Sequence, residues 1–149
     1  TSVLGDTAAT QGLVSFGNSG TLASVLGAPI TLTGGPGLLV NHAYTVPRPG
    51  TITSLAAFFS VAVAVTLPTT STVSVRIYLS SPASNTFTQE GLVTLPALPA
   101  LATIGTTSST TGTFSIPVTT GDRILLVASV ESTIVGAVTG YLSAGLTID

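Results

Sequence analysis

The chain has 149 residues, 44% of them hydrophobic and only 5% charged, with a net charge of −2. Arg48, Arg76 and Arg123 are its only Lys or Arg residues, too few for the repeated phosphate contacts that nucleic-acid binding needs. With no Cys and one His, zinc lacks ligands, and Asp6, Glu90, Asp122, Glu131 and Asp149 are too scattered for a calcium loop. No metal or other cofactor is expected. The most apolar run, residues 55–67, is thirteen residues long, short of the roughly 20 that a spanning helix requires, so no membrane partner is expected either. Polarity comes instead from 27 Thr and 17 Ser. A surface of neutral hydroxyls with so little charge argues for burial against other copies of the chain, in a structural or adhesive assembly rather than an enzyme.

Residues 1–28 are rich in Gly, Ser, Thr and Ala and carry apolar pairs at Val3-Leu4, Leu13-Val14 and Val25-Leu26, with Phe16 beside the second. Two readings fit: a neck or edge strand lying on its own domain, or an arm that adds to a neighbouring subunit through Val3, Leu4, Leu13, Val14 and Phe16. The domain proper is expected over residues 29–149. There the pattern predicts strands at 29–33, 38–46, 51–66, 72–80, 92–95, 101–106, 112–118, 122–131 and 136–148, separated by Gly, Pro, Asn and Ser. No stretch repeats apolar residues at helical spacing, and β-branched residues dominate, so the fold class is all-β: an antiparallel sandwich or barrel.

The first half of that pattern carries the interface prediction. Pro49-Gly50 fits the central pair of a type II turn leading into residues 51–66. In that stretch Leu55, Ala57, Phe59, Val61, Val63 and Val65 share one face, expected in the core. The other face carries Ser54, Ala56, Phe58, Ser60, Ala62 and Ala64, small residues that allow another surface to approach closely. This predicts a subunit interface at Ala56, Phe58, Ser60, Ala62 and Ala64, anchored by Phe58. Sixteen residues would span ~53 Å, so a bend or bulge near Ser60 is expected.

Further along, residues 72–80 alternate Val73, Val75, Ile77, Leu79 with Ser74, Arg76, Tyr78, Ser80, one face in and one out. Residues 80–86 read as a loop, and the tract GTTSSTTG at 105–112 reads as a second, solvated one. Thr120-Gly121-Asp122 marks a turn. Residues 122–131 are apolar on both faces, as in a covered central strand, which again suggests oligomerisation. In 136–148 the inward set is Val138, Leu142, Ala144, Leu146 and Ile148, opposite Thr139, Tyr141, Ser143 and Thr147. His42, in LLVNHAYTV, has no nucleophile elbow, HExxH pattern or acid cluster around it and reads as a hydrogen-bonded core or interface histidine; no catalytic residue is expected.

Taken in order, FGNSG, ITLTGGPGLLVNHAYTVPRPGTITSLAAFFS, SNTF, IPVTTGDRILLV and VTGYLSAGLTI resemble the C-terminal domain of the BclB-like exosporium glycoproteins of bacterial spores. The most specific pieces are VPRPGTITSLAAFFS and GYLSAGLTI. The resemblance implies a jelly roll of the tumour necrosis factor and complement C1q type, homotrimeric, displayed on the extracellular spore surface and without enzymatic activity. Its implied partners are further copies of itself, other exosporium proteins or surface glycans. Such proteins carry a collagen-like Gly-X-Y region ahead of this domain, and residues 1–28 have no such period. The expectation is therefore a stalkless subunit of a spore appendage, stacked head to tail into a fibre through its N-terminal arm, the alternative being a trimeric adhesive or carbohydrate-binding head.

Overall fold

A computed structural model describes residues 2–5, 11–15, 19–22, 26–31, 42–66, 71–131 and 137–149. All the strand pairings are antiparallel and build two sheets and a small ribbon. The four-stranded sheet has the order β1 (Ser2–Gly5), β13 (Ala137–Ile148), β6 (Gly50–Val61), β11 (Thr107–Val118). The larger sheet runs β3 (Ser19–Leu22), β2 (Gln11–Val14), β12 (Arg123–Glu131), β8 (Thr72–Ser80), β9 (Thr86–Thr94), β4 (Ile30–Thr31). β5 (Tyr44–Thr45) also pairs β12, at Arg123 and Ile124, next to the stretch that β2 occupies. β7 (Val65–Thr66) and β10 (Leu101–Ala102) form the ribbon.

The sheets are held face to face by their alternate apolar residues. Ile52, Leu55, Phe59 and Val61 of β6 and Val138 of β13 meet Val73, Val75 and Ile77 of β8 and Ile124, Ala128 and Val130 of β12 in one core. Leu55, Phe59, Val73, Val75 and Ile77 have no exposed surface. At about 1.5–3 kcal/mol for each large side chain taken out of water, this is the main favourable term in the fold. Parity changes at Thr53, where the partners of β6 step irregularly on both sides, from Thr113 to Ile116 and from Thr147 to Ile148. The irregularity lets both Leu55 and Ile52, an odd number of residues apart, face the core.

Four expectations change at the level of single residues. β6 stops at Val61, one residue beyond the predicted bend, and Val63 is exposed rather than in the core. Gly50 does not take the left-handed conformation of a type II turn; among the described residues the glycines with positive φ are Gly27, Gly105 and Gly121. Gly50 is needed instead for close approach, since a Cβ there would lie 2.7 Å from the Asp149 carbonyl oxygen. The tract at 105–112 is largely the first half of β11, not a loop: Ser108 turns inward to donate to the Pro96 carbonyl at 2.7 Å, and Gly112 lets Val93 pack against the strand. β9 begins at Thr86, six residues ahead of the predicted start.

The larger sheet is covered on its outer face as well. Leu13, Ile30, Tyr78, Phe87, Leu125 and Val127 make a second buried cluster there. The double coverage of β12 therefore comes from its own chain and calls for no partner. Ser74, Arg76, Tyr78 and Ser80, expected outside, are all buried. A register irregularity between Ile77 and Tyr78 explains Phe87: it brings the β9 side chain to the face of Tyr78 instead of the main core.

Residues 1–28 supply β1 to one sheet and β2 and β3 to the other. Leu13, expected as an assembly contact, is completely buried in its own chain, because β2 pairs β12 with Leu13 opposite Val127. Val14 turns to the opposite side and packs partly on the main core. Val3 and Leu4 lie on β1, paired with Thr139 and Val138. Phe16 lies outside the described residues, as do Val25, Leu38 and Val40.

Candidate subunit-contact face

The outer face of the four-stranded sheet is assembled by register. Opposite Ser60 stand Thr107 and Tyr141; opposite Phe58, Ser109 and Ser143; opposite Ala56, Thr111 and Gly145; opposite Ser54, Thr113 and Thr147. The face therefore carries hydroxyls on each side of a central line of Ser54, Ala56, Phe58 and Ser60, unbroken along β11 and interrupted by Gly145 along β13. None of these residues bears a formal charge. Phe58 is 45% and Tyr141 59% exposed, and a shallow depression lies over Ala56, Gly145 and Thr111, beside Phe58. Ser54 donates to Thr147 Oγ1 at 3.0 Å, and Thr53 to an Asp149 carboxylate oxygen at 2.8 Å, which ties β13 to the start of β6.

Of the predicted interface residues, Ala56, Phe58 and Ser60 share this face. Ala62 and Ala64 lie past the end of β6: the Ala62 amide still bonds the Thr139 carbonyl at 3.0 Å, and Ala64 stands exposed before β7. The residues that the sequence reading missed are those of β11, Thr107, Ser109, Thr111 and Thr113. An all-polar run shows no apolar alternation; the signal available was the density of Thr, a β-branched residue that suits a strand.

The remaining chemistry-bearing groups are engaged in holding the fold. His42 is buried, with Nδ1 2.9 Å from Ser15 Oγ, and its ring packs so closely on Gly20 that a Cβ there would lie 2.9 Å from Nε2. It thus touches residues beside or within both β2 and β3. Arg76 donates to Ser129 and forms an ion pair with Glu131. Arg123 donates to the Ser84 carbonyl and, at 2.8 Å, to Asn85 Oδ1, while its guanidinium lies 5.3 Å from the centre of the Phe87 ring. Asp122 accepts from the Thr119 amide at 2.8 Å and fastens the turn at Gly121. Burial pushes the Tyr78 hydroxyl above its ordinary pKa, with the Arg76 charge and the Gly27 backbone amide pulling the other way. Among the described residues no three of His, Asp and Glu come together as a metal site would require. The chain matches no protein-family model, no curated protein and no solved structure.

Proposed function

We propose that this chain is a non-enzymatic structural subunit of a bacterial spore-surface assembly, a jelly roll that forms homotrimers and stacks head to tail into a fibre. The observation that carries the self-association is the uncharged face centred on Phe58: an exposed aromatic among small and hydroxyl residues, on a chain with few charges anywhere to keep copies apart. The strand orders support the jelly roll, since β1-β13-β6-β11 against β5-β12-β8-β9 is the order that two wound Greek keys produce. The spore surface as the location rests on the sequence resemblance.

Light scattering on the purified chain is expected to give the mass of three subunits, and Phe58→Arg the mass of one. Wild type that stays a monomer at micromolar concentration overturns the reading, as does a folded Phe58→Arg chain of unchanged mass. Since Leu13 belongs to the core, a test of the arm is best confined to removing residues 1–5, with fibres sought by negative-stain microscopy.

A second reading draws on the same face. Phe58 and Tyr141 are exposed aromatic rings among hydroxyls, a combination on which sugar rings stack and hydrogen-bond. A discrete trimer that binds glycans on an array, with binding lost in Tyr141→Ala, favours that adhesive head over the fibre.

A further inference from the structure

The edges of the two sheets are not alike. Among the described residues the larger sheet ends on β3 and β4, of four and two residues, while the four-stranded sheet ends on β1, of four residues, and on β11, of twelve. A short edge offers another chain little to pair with, whereas a long one is a template.

The direction of each backbone group of β11 follows from the hydrogen bonds at the end of β6. On the β13 side the Ala62 amide bonds the Thr139 carbonyl at 3.0 Å, and on the β11 side the Val61 amide bonds the Thr106 carbonyl at 2.9 Å. In an antiparallel ladder such bonds recur at every second residue. Ser54, Ala56, Phe58 and Ser60 therefore bond β13, whereas Leu55, Ala57 and Phe59 bond β11 through Gly112, Thr110 and Ser108. The remaining parity of β11 faces the other way. The N–H and C=O groups of Thr107, Ser109, Thr111 and Thr113 point out of the edge of the sheet, and among the described residues no strand pairs them.

The features that usually block such an edge are missing from this stretch. No charged residue occurs between Gly91 and Gly121, the first proline of β11 is Pro117, and the ladder becomes irregular only after Thr113. The run that is left, TSSTTGT at 107–113, is rich in Thr, which suits a strand.

We propose that β11 is a docking edge for a second copy of this chain: residues 107–113 of two copies pair antiparallel about Thr110 and join two four-stranded sheets into one. The side chains specify the occupant. A two-fold pairing about Thr110 sets Thr107 opposite Thr113 of the other copy, Ser109 opposite Thr111, and Thr110 opposite itself. Near such an axis a charged side chain meets its own like, but a hydroxyl both donates and accepts and so is complementary to itself. This centre also uses the whole regular stretch and brings all four outward-pointing residues into hydrogen-bonded pairs. The contact goes beyond the Phe58 face, since it lies in the plane of the sheet, and it continues that uncharged face from one copy into the next.

With no Cys in the chain, a single introduced thiol reports the pairing. Thr110→Cys meets itself across the axis, in a pair whose Cα atoms lie about 4.5 Å apart, within reach of a disulfide. Thr107→Cys faces Thr113 and lies about 20 Å along the strand from its own counterpart. Mild oxidation of the folded protein is expected to give covalent pairs from Thr110→Cys, also when Phe58→Arg is added, and few or none from Thr107→Cys. Thr111→Pro removes an N–H that points out of the edge and breaks no bond to β6; it is expected to keep the wild-type melting temperature and to abolish the covalent pair in the Thr110→Cys background. Should the proline unfold the chain, Ser109→Lys together with Thr111→Lys, both at exposed positions, sets like charges opposite each other and is expected to abolish the pair as well. Thr110→Cys chains that stay single, that link no better than Thr107→Cys, or that link equally well with the proline or the lysines present, overturn the edge contact and leave the Phe58 reading standing. A covalent pair that vanishes with Phe58→Arg means that the face alone brings the copies together, and overturns it too. A link between Thr111→Cys of one copy and Val3→Cys of another, without the Thr110 pair, gives the edge to a neighbour's N-terminal strand instead.

Discussion

The outer faces of the two sheets are built from similar sequence patterns and meet different fates. β8 places Ser74, Arg76, Tyr78 and Ser80 outward, and all four are buried, Tyr78 in a cluster with Leu13, Ile30 and Phe87 and Arg76 in an ion pair with Glu131. β6 places Ser54, Ala56, Phe58 and Ser60 outward, and Phe58 keeps nearly half its surface in water. The contrast runs against composition, because the face with Arg and Tyr is closed and the face with Ala and Phe is open. Strand alternation tells which residues share a face. Which face ends up buried is not in that alternation: β2 and β4, far away in sequence, join the same sheet and add Leu13 and Ile30 to the buried cluster on its outer face.

The comparison breaks most sharply at Leu13. If residues 11–14 close the second cluster as a permanent part of the fold, Leu13→Ala removes a fully buried side chain from among Tyr78, Phe87, Leu125 and Val127 and is expected to lower stability by about 2–5 kcal/mol. Chemical denaturation measures it. A loss below about 0.5 kcal/mol, as for an ordinary surface substitution, means that β2 is an exchangeable arm after all.

On the open face the expected effect is smaller and of a different kind. Phe58→Ser removes an exposed ring, and the stability it loses is that of association, on the order of 1–2 kcal/mol per subunit. Wild type should therefore melt at a temperature that rises with protein concentration, because assembly binds only the folded chain, and the variant should lose that dependence. Equal concentration dependence in both proteins removes Phe58 from the contact.

How much of this was legible beforehand follows from the same physics. β8, β12 and β13 could be read within a residue or two, because each has an apolar alternation long enough to define one face. β11 was read only from Gly112 on, since Thr and Ser occupy its first half on both faces and leave no contrast. Ala56 and Phe58 were legible as outward residues from the alternation of β6; Ala62 and Ala64 were read into the same strand because nothing in VAVAV shows that it ends at Val61. The exposure of Val63 was hidden for the same reason, since it reads as core.

The smallest expected effect probes the closed face by pH. The Tyr78 hydroxyl is held above its ordinary value of 10.0 chiefly by burial, so the folded chain keeps the phenol neutral where the unfolded chain has begun to ionise. Its contribution to stability is therefore fully present below pH 10.0 and is lost as the pH rises through the higher folded value. Tyr78→Phe has no proton to lose. At neutral pH it is expected to differ from wild type by about 1 kcal/mol or less, since a buried hydroxyl is exchanged for a ring of the same shape. Between about pH 9 and pH 11, on either side of the ordinary tyrosine value, the melting temperature of wild type should fall more steeply than that of the variant. Parallel alkaline limbs mean that the hydroxyl reaches water in the folded protein, so that the cluster of Tyr78 with Leu13, Ile30 and Phe87 opens readily. The outer face of the larger sheet then resembles the Phe58 face more than its burial suggests.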